Sequence, residues 1–165
     1  MDYAYEERIG NPDLFTGREA ELAYFLKWIS DIKERKSQST AILARRKMGK
    51  TAIMERLFNI TFYKNDGVIP FYYEIKENDV WIVDFCVNFC LTFVYQYIAF
   101  KTRKTRYLRL FDKSNLAKAM QMAQGEGLDY LAELLSAVKH AVEHDHVDIL
   151  WETARDKKRG HAKNS

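Results

Sequence analysis

The sequence predicts an α/β fold, with strands in the first half of the chain and a helix-rich second half. Two short apolar runs without helical spacing predict buried strands, at residues 40–44 and 68–75. Between them, from Lys50 onward, apolar residues recur at the spacing of a helix. The order strand, helix, strand is typical of a parallel sheet. Because only two strands are recognisable, we expect the sheet to be incomplete, with an exposed edge.

The bulk composition predicts one soluble, folded domain. The chain has 165 residues, of which 47% are hydrophobic and 14% aromatic, enough for a core. Its net charge of +3 is too small to imply a nucleic-acid or membrane partner. The only two cysteines, Cys86 and Cys90, lie in an apolar run and suggest no disulfide framework. The N-terminus lacks the apolar core of a secretory signal, so we expect a cytoplasmic protein.

The first helix is predicted by a capping box, in which Thr16 and Glu19 have the S/T-x-x-E spacing. We expect this helix to end near residues 34–36. Its apolar side is predicted to be buried and comprises Leu22, Phe25, Leu26, Ile29 and Ile32. A further helix follows from Lys50, and Asn65, Asp66 and Gly67 form a turn signal before the second predicted strand.

The second half of the chain is predicted to be helical. Residues 80–100 are long and apolar enough to span a bilayer. Polar side chains recur there every fourth residue from Asp84 to Gln96, which favours a buried helix of a soluble protein and no membrane contact. Other helices are expected around residues 115–124, 128–142 and 147–156, with a break at 125–127.

A phosphate-binding loop is predicted between the first strand and the following helix. Ala44, Arg45, Arg46, Lys47, Met48, Gly49, Lys50 and Thr51 follow the Walker A spacing of a P-loop, with Ala44 in place of the first glycine. Gly49 permits a backbone turned toward phosphate oxygens, and the site extends into the helix at Ala52. Lys50 is the expected catalytic cation for the β- and γ-phosphates of ATP, and the Thr51 hydroxyl the expected ligand of Mg²⁺. The alternative is an ordinary basic turn with a solvated rim.

A second motif precedes this loop. The run Phe15-Thr16-Gly17-Arg18-Glu19-Ala20-Glu21-Leu22, followed by a helix and the loop, resembles the archaeal-type ATPases of the AAA-like STAND class. The resemblance implies an AAA-type P-loop NTPase fold that binds ATP and Mg²⁺. It also implies that Phe15, Gly17 and Arg18 lie near the adenine and ribose. The alternative interpretation of this run is a helix N-cap with a hydrophobic staple.

The carboxylates needed for ATP hydrolysis are not found. A Walker B strand would be apolar and end in Asp, but the two candidates, residues 80–84 and 147–152, both have helical patterns. We therefore expect a truncated ATPase domain, with hydrolysis weak or absent in this chain. Its expected limits are residues 13–154, between an N-terminal arm at 1–12 and a basic tail at 155–165.

Three other interpretations stay open. The chain could be a non-enzymatic interaction module, with a partner or a second copy docking on the helix at residues 81–97. It could associate with DNA through the basic residues 101–109 and 155–163. Finally, a group of acidic and histidine residues could hold a metal or simply form a solvated helix end: His140, Glu143, His144, Asp145 and His146.

Overall fold

Helices make up the regular structure of the described residues of this protein. The computed structural model describes residues 4–7, 16–75, 82–110 and 115–144. In chain order the helices are α1 (Glu19–Lys33), α2 (Lys50–Lys64), α3 (Ile82–Thr102), a 3₁₀ helix (Thr105–Arg109), α4 (Leu116–Gly125) and α5 (Asp129–Glu143). The described part of the chain contains no strand, so it is all-α.

The predicted α/β fold is therefore wrong. Residues 40–44 and 68–75 have no regular structure, and no described residue pairs with either run in a ladder. Leu43, expected inside a buried strand, is 93% exposed. A strand needs a neighbouring strand to accept and donate its backbone hydrogen bonds, and an apolar run alone does not supply one. The expected P-loop NTPase sheet is absent from the described residues.

The chain divides into two compact units, Met1–Tyr72 and Tyr73–Ser165. The domain limits predicted near residues 12 and 154 lie outside the described residues and stay predictions. The same holds for the helix predicted at 147–156.

In the first unit, α1 starts at Glu19, two residues after Gly17. The Glu19 carboxylate accepts a hydrogen bond from the Gly17 N–H at 3.1 Å, and not from the Thr16 N–H as the acidic half of the predicted capping box requires. The Thr16 half does not form, because Arg18 is the N-cap residue and no side chain caps the helix. No residue of α1 is fully buried, and its apolar side is only partly covered.

Helix α2 supplies most of the buried side chains of the first unit, among them Ile53, Leu57 and Phe62. It ends where predicted, since Asn65 takes a left-handed conformation and Gly67 has a φ of 77°. The N-terminal residues 4–7 are held on this helix by Asn59. Its side-chain amide accepts from the Tyr5 N–H at 2.8 Å and donates to the Tyr5 carbonyl at 2.9 Å.

In the second unit, α3 packs against α5 through small apolar side chains. Cys86 and Cys90 on α3 contact Val138 and Ala141 on α5, and both cysteines are free and buried. Helices α4 and α5 form a hairpin. The Asn115 side chain accepts from the Lys118 N–H at 2.9 Å, and the predicted break contains Gly127 at a φ of 71°.

Helix α3 is the one described helix whose length and apolar composition would let it cross a membrane. Half of its apolar window is nevertheless buried inside the protein. That burial is what the core helix of a soluble protein shows, so the structure is consistent with a soluble protein.

Candidate functional site

The predicted phosphate-binding residues form an exposed loop that leads into α2. After Arg45 the chain turns, and the Met48 N–H bonds to the Arg45 carbonyl at 3.4 Å. Lys47 and Gly49 both have a positive φ, 67° and 76° respectively. These two left-handed residues redirect the backbone so that a helix of 15 residues starts at Lys50.

Glycine is favoured at position 49 by the backbone conformation there, and not by a lack of room for a side chain. A side chain at this position would have no atom within 4 Å, but its φ of 76° lies where side chains are disfavoured. This conformation is one that glycine adopts readily, and the role predicted for Gly49, to turn the backbone toward phosphate oxygens, stays a prediction.

The amino end of α2 has no side-chain cap. The Ile53 N–H bonds to the Gly49 carbonyl at 3.1 Å, and the three preceding N–H groups belong to Lys50, Thr51 and Ala52. Such groups carry the positive end of the helix dipole and can donate to an anion. Ala52 is only 7% exposed, so it can offer its backbone but no accessible side chain.

Lys50 is folded back over the loop. Its ammonium donates to the carbonyl of Ala44, six residues earlier, and the side chain is half-buried. The ammonium is thus held at the mouth of the loop, where an anionic oxygen could replace the carbonyl as acceptor. Thr51, also half-buried, lies in the first turn of the helix beside it.

Arg18 joins the two motifs that the sequence singled out. Its Nη2 donates to the carbonyl of Met48 at 2.9 Å, and its Nη1 donates to Glu21 at 2.7 Å. The Arg18 guanidinium, through that hydrogen bond, lowers the pKa of Glu21 from its ordinary value. Gly17 precedes it at a φ of 81°. Phe15 lies outside the described residues.

Three cations form the rim of the loop. Arg45, Arg46 and Lys47 are all exposed, and none makes an ion pair within the described part of the chain. Together with Lys50 they place four positive charges within six residues. A site of this sign attracts polyphosphate from a distance, although the exposure of all three also fits an ordinary solvated rim.

Carboxylates for a catalytic metal are missing among the described residues. Asp84, the end of one Walker B candidate, lies in the first turn of α3, and the other candidate lies outside the described residues. The described ranges hold no group of three or more His, Cys, Asp or Glu side chains that could bind a metal ion. His140 and His144 stack with ring centroids 4.1 Å apart, whereas Asp145 and His146 are not described.

Glu21 is a site residue that the sequence reasoning did not assign. It holds the guanidinium of Arg18 from the next turn of α1. The sequence does contain an indication of this pair, because residues three apart on a helix are neighbours and an Arg–Glu pair at this spacing is favourable. The contact of Arg18 with Met48, thirty residues away, has no comparable signal in the sequence.

Comparison with protein-family models, with curated proteins and with solved structures gave no significant match to this chain. The identification as a P-loop, Walker A-type ATPase of the AAA-like STAND class is therefore wrong on two grounds. That fold requires a central sheet, which the described residues do not form, and no family model supports the resemblance.

Proposed function

We propose that residues 44–52 bind the triphosphate of ATP together with Mg²⁺, in a helical protein that does not hydrolyse it at a useful rate. The observation that carries the proposal is the uncapped amino end of α2, reached through two left-handed residues, with the ammonium of Lys50 donating to the Ala44 carbonyl of the same loop. Backbone N–H groups at a helix start and a lysine ammonium in the adjoining loop are chemistry suited to phosphate oxygens.

The charges around the loop support a polyanionic ligand. Lys50, Arg45 and Arg46 would each find acceptor oxygens on a triphosphate, and hydrogen bonds between ions are about twice as strong as neutral ones. Arg18 keeps the loop in place by its bond to the Met48 carbonyl. Gly17 and Arg18 stay candidates for contact with the adenine and ribose.

Mg²⁺ fits this proposal as a partner of the phosphates. The ion prefers six oxygen ligands and commonly takes most of them from phosphate and water, so the single hydroxyl of Thr51 is an adequate protein ligand. The residues would bind and orient the triphosphate. Without a described carboxylate to orient water, we expect weak binding and no measurable turnover.

A titration with a fluorescent ATP analogue and Mg²⁺ tests the proposal. We expect Lys50→Ala to weaken binding about tenfold or more, the effect of losing one charge-assisted hydrogen bond. Lys27→Ala, which removes an exposed lysine of α1 outside the loop, is the matched control and should bind as the wild type does. Equal affinity of the wild type and Lys50→Ala would refute the phosphate site.

Release of phosphate is the second readout. It should stay at background for the wild type. Release well above background, abolished by Lys50→Ala, would mean that a catalytic carboxylate exists outside the described residues.

A cytoplasmic location, a partner docked on α3 and contact with nucleic acid stay predictions. On α3, Phe85 and Phe89 pack against Tyr73 within the second unit.

A further inference from the structure

The segment that enters the phosphate-binding loop has no sharp bend, and the backbone of its residues 40–43 is unpaired within the described part of the chain. Residues 36–45 contain no turn, bend or helix, and none of them has a positive φ. The segment is anchored at its start, where the Trp28 indole N–H donates to the Gln38 carbonyl at 2.8 Å. The backbone groups of residues 40–43 make no hydrogen bond within the described part of the chain.

An open cleft runs between this segment and α1. It is shallow and widely open to solvent, with a volume of about 460 Å³, and its sides are Ala20, Glu21, Tyr24 and Phe25 on α1 and residues 40–43 opposite them. Tyr24 is 59% exposed beside it. Apolar side chains and a row of unpaired backbone donors and acceptors thus face solvent along the same short segment.

We propose that this cleft binds an extended segment of a protein partner, apolar at alternate positions and acidic at the end nearest Arg45. Unpaired backbone in such a segment is satisfied by the backbone of another extended chain, which adds to it as a strand does. Alternating apolar side chains of that chain fill the cleft against Tyr24 and Leu43.

The positive charges next to the cleft determine which end of the bound partner segment is acidic. Arg45 and Arg46 directly follow residues 40–43, are exposed, and make no ion pair within the described residues. Glu21, the acid in the cleft wall, is already engaged by Arg18. Acidic side chains at that end would therefore meet cations that have no ion-pair partner among the described residues. A second copy offers the same basic segment and would bring like charges to the interface.

The test uses the full chain and two synthetic peptides, measured by fluorescence anisotropy. In both peptides valine alternates with threonine; one ends in two glutamates and the other in two lysines. We expect the acidic peptide to bind at least about tenfold more tightly than the basic one, and Leu43→Asp to weaken it about tenfold. Equal binding of both peptides, or no binding of either, would overturn the proposal.

Two control variants show whether the loss of peptide binding in Leu43→Asp is specific to the cleft. Ile75→Asp places the same charge at another exposed aliphatic position, in the second unit, and should leave peptide binding unchanged. Lys50→Ala should lose nucleotide affinity and keep that for the peptide. Unchanged helical circular dichroism in Leu43→Asp excludes unfolding. Self-association that Leu43→Asp abolishes would assign the cleft to a second copy and contradict the proposed partner.

Discussion

The two units of this chain use similar helices to different ends. In the second unit, α3 and α5 bury residues along their length, and Val94, Ile98, Leu135 and Val138 have no solvent exposure. In the first unit, α1 buries no residue fully, and Leu43, Met48 and Tyr24 face solvent. The unit with the more closed core carries no candidate ligand site in its described residues. The loop and the cleft both lie in the first unit, where α1 is only partly covered by the other described residues.

The accessibility of thiols gives the sharpest contrast between the units. Burial raises the pKa of the Cys90 thiol to about 11 and also raises the pKa of Cys86. Because only the thiolate reacts, both native thiols should label slowly in the folded protein. A cysteine introduced by Leu43→Cys, at an almost fully exposed position, should react more than about a hundredfold faster with a disulfide reagent. Comparable rates for all three thiols would remove the contrast.

A matched pair of leucine truncations measures the same difference as stability. Leu135→Ala in α5 should lower the free energy of unfolding by about 2–5 kcal/mol, since Leu135 has no exposed surface. Leu26→Ala in α1 should cost about 1 kcal/mol, since Leu26 is only half-buried. Urea denaturation followed by circular dichroism compares the two variants. A larger loss at Leu26 would mean that the first unit is the more tightly packed.

A smaller effect is expected from acid. Hydrogen bonds from Lys104 and then Tyr107 lower the pKa of Glu126 below its ordinary value of 4.5. A lowered pKa in the folded state stabilises the protein above pH 4.5, and that contribution is lost as the pH falls through the lowered value. In Glu126→Gln, the free energy of unfolding of the second unit should therefore fall less steeply as the pH is lowered into the acid range than it does in the wild type. Glu133→Gln, at an exposed residue of α5, is the control, and an equal change there would contradict this role.

The helices were predictable because their signals are local. The apolar spacing from Lys50, the left-handed Asn65 and Gly67, and the Asn115 cap all act within a few residues of themselves. The strand prediction for residues 40–44 was wrong because an apolar run of that length becomes a strand only beside a partner strand. The same reason explains why the family resemblance misled, since it assumed the sheet.

The candidate site was predictable to the extent that its members are neighbours in sequence. Gly49, Lys50 and Thr51 follow one another, so their positions at the start of α2 follow from the helix itself. The fold of Lys50 onto the Ala44 carbonyl and the bond from Arg18 to Met48 depend on packing between separate segments. Such contacts are set by tertiary structure, and no spacing in the sequence specifies them.

Hydrogen–deuterium exchange with and without saturating Mg²⁺ and ATP tests most directly whether the first unit binds the triphosphate. We expect slower exchange at the amides of residues 44–53, no change across α3 to α5, and loss of this protection in Lys50→Ala. Protection that appears only in residues 82–144, or protection of residues 44–53 that persists in Lys50→Ala, would contradict a phosphate site at the start of α2.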